Sequence, residues 1–117
     1  MLKTTAILFG IIFLAIGTLG FIPVFSPDSH LLGVFRINST HNLVHIVTGV
    51  AAAWCGIQGM RASRIFFRVI GVAYALVAIL GFVYGDRDIF GYLASNPADT
   101  WLHGVTALIS LYLGFAE

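Results

Sequence analysis

The sequence predicts an all-α membrane protein: a four-transmembrane-helix bundle built from two tandem helical hairpins. Three observations predict it. Of 117 residues, 59% are hydrophobic and 9% charged, with a mean hydropathy of +0.97, whereas soluble domains carry about 25% charged residues. Four apolar runs are each about 20 residues long, which at ~1.5 Å per residue matches the hydrocarbon thickness of a bilayer. Polar residues also recur at one fixed spacing in the two halves. A chain this short has too little interior to hide so much apolar surface from water. The composition therefore excludes an ordinary soluble enzyme and a disordered chain, and a net charge of +1 excludes a basic nucleic-acid binder. The runs are continuously apolar rather than alternating, which argues against a β-barrel. Helices satisfy their own backbone groups in lipid.

The spans are expected at residues 5–25, 38–58, 65–84 and 96–115. Lys3 precedes the first and gives it a signal-peptide flavour. The apolar run from Ala6 to Phe25 is longer than a usual signal core, however, and no A-x-A site follows it, so a retained span is expected. The fourth span begins Asn96-Pro97-Ala98-Asp99. Asn suits the N-cap, Pro lacks the N–H that the first turn cannot use, and Asp opposes the positive helix end. The second begins Asn38-Ser39-Thr40-His41. This is formally a glycosylation sequon, but it lies so near the membrane surface that capping is the expected role of Asn38. Lys3, Arg61, Arg64 and Arg68 gather at the N-terminus and the second connection, while Asp28, Asp86, Asp88 and Asp99 lie on the other side with Arg36 and Arg87. The positive-inside rule then places both termini in the cytoplasm and turns segments 26–37 and 85–95 outward.

The halves resemble one another. Gly33, Asn38, His45, Val47 and Thr48 match Gly91, Asn96, His103, Val105 and Thr106 at a separation of 58, and Leu19-Gly20-Phe21 matches Leu80-Gly81-Phe82. The expectation is a single domain over residues 1–117, with one repeat at about 5–58 and a second at about 65–115. Two spans per repeat give both halves the same orientation, related by a pseudo-two-fold axis along the membrane normal.

Candidate chemistry rests on few residues. His41 and His45 are four apart and share a helix face that Thr48 continues. Asp99, His103, Thr106 and Ser110 form the corresponding stripe. Facing each other, these helices would bring His41, His45, Asp99 and His103 together in the outer part of the bundle. Three readings follow. The histidines are neutral packing groups bonded across helices. Alternatively they bind a ligand: a transition metal at His41, His45, Asp99 and His103, or a haem or other tetrapyrrole between His45 and His103. In the third, the stripe is a path for protons, ions or small solutes. No Glu lies between His41 and His45, so the metalloprotease pattern is absent, as are a nucleophile–base pair, a phosphate-binding glycine loop and a cofactor fingerprint. A non-enzymatic role without a cofactor is the leading expectation. The lone Cys55 reads as a small buried hydrophobe. Arg68 is expected to snorkel to the cytoplasmic headgroups, and Phe35, Tyr84, Tyr92 and Trp101 to form an outer aromatic belt. Gly10, Gly17, Gly49, Gly56 and Gly71 mark sites of close helix approach.

The stretch Leu32-Gly33-Val34-Phe35-Arg36-Ile37-Asn38, with His41-Asn42-Leu43-Val44-His45 and Thr48-Gly49-Val50, resembles a group of small four-helix bacterial membrane proteins known as domain of unknown function 4383. The segment Asn96-Pro97-Ala98-Asp99-Thr100-Trp101-Leu102-His103 resembles the family's second motif, departing from it at Pro97 and Thr100. The resemblance covers nearly the whole chain. It implies four spans in a bacterial inner membrane and implies no activity. The expected partners are the lipid bilayer and further copies of the chain or a larger membrane complex, with no nucleic acid.

Overall fold

The computed structural model describes residues 1–116. Two asparagines set the starts of two helices. Asn38 and Asn96 are both extended, and each side-chain oxygen accepts a backbone N–H three residues on, from His41 and from Asp99, at 2.9 Å. The sequon asparagine is thus an N-cap. These caps open α2 (Ser39–Gln58) and α4 (Pro97–Phe115), which follow α1 (Leu2–Leu19) and α3 (Met60–Tyr84).

Two boundaries differ from the sequence reading. α1 begins at Leu2 and stops at Leu19, six residues short of Phe25. Pro23 has no N–H to continue the ladder and biases Ile22 away from helix, so the chain turns into a short 3-10 segment at Pro23–Phe25 and a second at Pro27–Ser29. α3 starts five residues before Ile65, because only Gly59 joins it to α2; φ 134 at Gly59 reverses the chain, and the Ser63 hydroxyl donates to the Gly59 carbonyl at 2.7 Å. The outer connection also contains a two-stranded hairpin, β1 (His30–Leu31) with β2 (Phe35–Arg36).

Helix α1 packs along α2 and α3 along α4. Glycines allow the contact. A Cβ at Gly10 would lie 2.7 Å from the Ala53 nitrogen and the Gly49 oxygen, and one at Gly49 would lie as close to Leu14 on α1. These backbones touch directly, which in lipid is a principal source of helix affinity.

The two outer connections share a local geometry at the spacing of 58. Leu32 and Gly33 are left-handed at φ 54 and 75, and Phe90 and Gly91 at φ 53 and 77. The pairing Leu31↔Phe35 has its counterpart in Ile89↔Leu93. Each capping asparagine then reaches across to the other connection: Asn38 Nδ2 donates to the Tyr92 carbonyl and Asn96 Nδ2 to the Val34 carbonyl, both at 2.9 Å. Arg36 adds bonds to the carbonyls of Asp86 and Ser95 at 2.9 and 3.0 Å and an ion pair with Asp88.

At the opposite end the interior is apolar and aromatic. Phe9 stacks on Phe13 with centroids 4.4 Å apart and meets Phe66 and Phe67 edge-on at 5.8 and 5.6 Å. Arg68 is exposed and also bonds the protein. Its Nε donates to the Gly114 carbonyl at 2.7 Å and its guanidinium sits 4.9 Å from the Phe115 ring centroid. It satisfies a carbonyl in the last turn of α4, where a cation also favours the helix dipole.

The radial order is the reverse of a water-soluble domain. Ile11, Val50, Val72, Ile79, Val105 and Leu108 are among many large apolar residues that point outward, while Asn42, Thr48, Ser63, Thr100, Thr106 and Ser110 are buried. Two helices, α1 and α3, are long and apolar enough to cross a membrane. α2 and α4 carry most of the polar residues, and beyond the Ser39–Thr40 start and the Gln58 end of α2 those are buried.

Candidate functional site

The site grows from the two capped helices. Four-residue spacing stacks His41 and His45 on the inner face of α2, and their ring centroids lie 4.6 Å apart. His103, seven residues past the Asn96 cap, enters from α4 to 5.4 Å from His41 and 6.1 Å from His45. One nitrogen from each of these rings lies within 4.8 Å of the others. Relative exposure is 1% for His41, 2% for His45 and 4% for His103. Both ring nitrogens of His41 and of His45 are buried with no hydrogen-bond partner among the described residues. A buried imidazole normally satisfies at least its N–H, and leaving it bare costs on the order of 1–3 kcal/mol. Two adjacent imidazoles in that state form a donor set directed at something other than the protein.

Asp99 starts the α4 stripe and is 1% exposed, with neither carboxylate oxygen bonded among the described residues. It does not join the three-ring cluster as the sequence suggests. Asp99 and His45 both line a cavity of about 160 Å³, chiefly through their carbon atoms, together with Leu31, Leu32 and Phe35. One turn deeper, Thr106 and Ser110 continue the stripe, both buried. Thr48 bonds the Val44 carbonyl at 2.8 Å and lies 3.0 Å from the Tyr74 hydroxyl.

Tyr74 and Phe13 are the site residues that periodicity misses. The Tyr74 ring stacks on His103 with centroids 5.4 Å apart, and Phe13 meets His45 edge-on at the same distance. Both sit in apolar runs that resemble lipid-facing helix. The signal that finds them is the Leu19-Gly20-Phe21 and Leu80-Gly81-Phe82 alignment, which sets Phe13 against Tyr74 and so pairs one aromatic ring with each repeated histidine. These rings change the outlook for a tetrapyrrole. A macrocycle would have to lie flat between its axial rings, but His41, Phe13 and Tyr74 fill the flanks of the gap between His45 and His103. The three imidazole nitrogens, within 4.8 Å of one another, are grouped as donors to one ion would be. His30, the fourth histidine, stands apart on β1, where its Nδ1 lies 2.8 Å from the Asp28 carbonyl oxygen.

No curated protein and no solved structure matches the chain. A family model described as Domain of unknown function (DUF4383) matches residues 3–116. The match takes in both capped helices, both outer connections and every histidine of the cluster, and the chain belongs to that family.

Proposed function

We propose that the chain is a four-span protein of a bacterial inner membrane, made of two tandem hairpins, with both termini in the cytoplasm. Its role is non-enzymatic: an accessory or self-associating membrane component organised around a buried His/Asp core near the outer face. The observation that carries this reading is the reversed radial order. Apolar side chains cover the outside of all four helices, and imidazoles, a carboxylate and hydroxyls are buried inside, beside an aromatic cluster. Water would penalise that arrangement, whereas a hydrocarbon solvent favours it. Helix lengths of 18, 20, 25 and 19 residues each suit a bilayer, the longest with some tilt. The four basic residues Lys3, Arg61, Arg64 and Arg68 fall toward the end that holds both termini, which supports the cytoplasmic placement. The matched caps, left-handed turns and reciprocal asparagine bonds at one spacing support the tandem origin of the hairpins.

Single-cysteine accessibility in a Cys55→Ser background tests the topology. Asp28→Cys and Asp86→Cys are expected to react with a membrane-impermeant maleimide in intact spheroplasts, and Arg61→Cys only after permeabilisation. Labelling of all three before permeabilisation would refute the arrangement.

A further inference from the structure

The geometry points to a metal site: we infer that His41, His45 and His103 bind one zinc-class divalent ion, with a solvent molecule as the fourth ligand. The donors come first. Three imidazole nitrogens from two helices lie within 4.8 Å of one another. Around a tetrahedral zinc with Zn–N of 2.0–2.1 Å, such nitrogens stand about 3.4 Å apart. The rings therefore need to close by about 1.4 Å, a movement within the reach of side-chain torsions on fixed backbones.

The second, independent observation is burial without a settled partner. Both nitrogens of His41 and His45 are buried without a well-formed hydrogen bond among the described residues; backbone groups of Ala94 and Arg36 beside His41 can take its N–H, which leaves the other nitrogen of that ring for an ion. Thr48 is already bonded to Val44 and Tyr74, so it makes no claim on the rings. Donor chemistry selects the class of ion. Imidazole suits zinc, copper(II), nickel and iron, and the set contains no sulfur, which disfavours copper(I). The lone thiol, Cys55, lies ten residues beyond His45 on α2, almost three turns away. Three neutral ligands leave a divalent charge uncompensated in a low-dielectric interior. Asp99, buried and unbonded, supplies an adjacent negative charge. This inference rests on side-chain geometry alone. A failed topology would show in cysteine labelling, and a failed metal site shows in binding stoichiometry.

The test uses the full chain in detergent micelles, purified with a histidine-free tag and stripped with a chelator. Equilibrium dialysis against Zn²⁺ is expected to give one ion per chain. Co²⁺ is expected to give the strong visible bands of a four-coordinate site, displaced by Zn²⁺. His45→Asn and His103→Asn are each expected to weaken Zn²⁺ binding at least 100-fold, while His30→Ala leaves it unchanged. Thermal unfolding of the metal-free variants separates loss of the site from loss of the fold. Absence of stoichiometric binding, binding that survives both Asn variants, or binding lost with His30→Ala would overturn the site.

Discussion

The hairpin α1–α2 and the hairpin α3–α4 share a frame and differ in what fills it. Both start their second helix on an asparagine cap and send that asparagine's amide to the other hairpin. Both set a glycine, Gly56 or Gly114, against the first helix of the pair near the inner end. At corresponding positions, however, His41 faces Asp99, Phe13 faces Tyr74 and Asn42 faces Thr100. The frame is made of backbone contacts and caps, where only one or two residue types work. The fill is a polar interior, which lipid does not reward for its own sake. The two hairpins differ at most positions yet keep His45 and His103, and Thr48 and Thr106, in common, so the site combines shared residues with the unlike pair His41 and Asp99.

Substitutions at paired positions probe this contrast. The largest effect is expected at the helix contact. Gly10→Ala would drive a methyl group into backbone atoms of α2, whereas at the corresponding Gly71 the nearest atoms belong to the flexible Leu111 side chain. Gly10→Ala should cost about 3 kcal/mol and Gly71→Ala about 1 kcal/mol by denaturant titration in micelles; equal costs would mean that the two contacts are built alike. Next comes Asp99→Leu. Removing a buried, unbonded carboxylate should stabilise the metal-free protein by about 1–2 kcal/mol, while zinc affinity falls about tenfold for want of the adjacent charge. Opposite signs for stability and binding are the mark of a residue kept for function. A loss in both would make Asp99 a packing element.

Asn38→Ala and Asn96→Ala should each cost about 1–2 kcal/mol, and should match one another because each asparagine makes one cap and one bridge. A marked inequality between them would break the correspondence of the outer connections. The smallest effect is expected for Tyr74→Phe, which gives α3 the aromatic type that α1 carries at Phe13. Thr48 keeps its bond to Val44, so about 0.5–1 kcal/mol should be lost, read from the same titration.

Four helices were legible in the apolar runs, and two of their starts in Asn38 and Asn96, because capping is local chemistry. The end of α1 was not. Phe21 and Ile22 continue the apolar run past the helix, so hydropathy sees no boundary where Pro23 imposes one. The hairpin at His30–Leu31 and Phe35–Arg36 is too short to carry a period. Within the site, the His41–His45 pair follows from helical spacing alone. The approach of His103 depends on how far apart α2 and α4 stand, which the large rings of Phe13 and Tyr74 help to set. Spacing by itself puts Asp99 in the cluster, whereas the close donor set holds the three imidazoles alone. The bond from Arg68 to the end of α4 was not legible either, because it joins residues 46 apart.

The central claim is that one ion sits among three imidazoles inside a lipid-facing bundle. X-ray absorption at the zinc edge, on the zinc-loaded full chain in nanodiscs, tests it most directly. The account expects a first shell of three imidazole nitrogens and one oxygen at about 2.0–2.1 Å, with the multiple-scattering pattern of histidine rings. A shell of oxygens alone, or one that keeps its imidazole pattern in the His45→Asn, His103→Asn double variant, would contradict it.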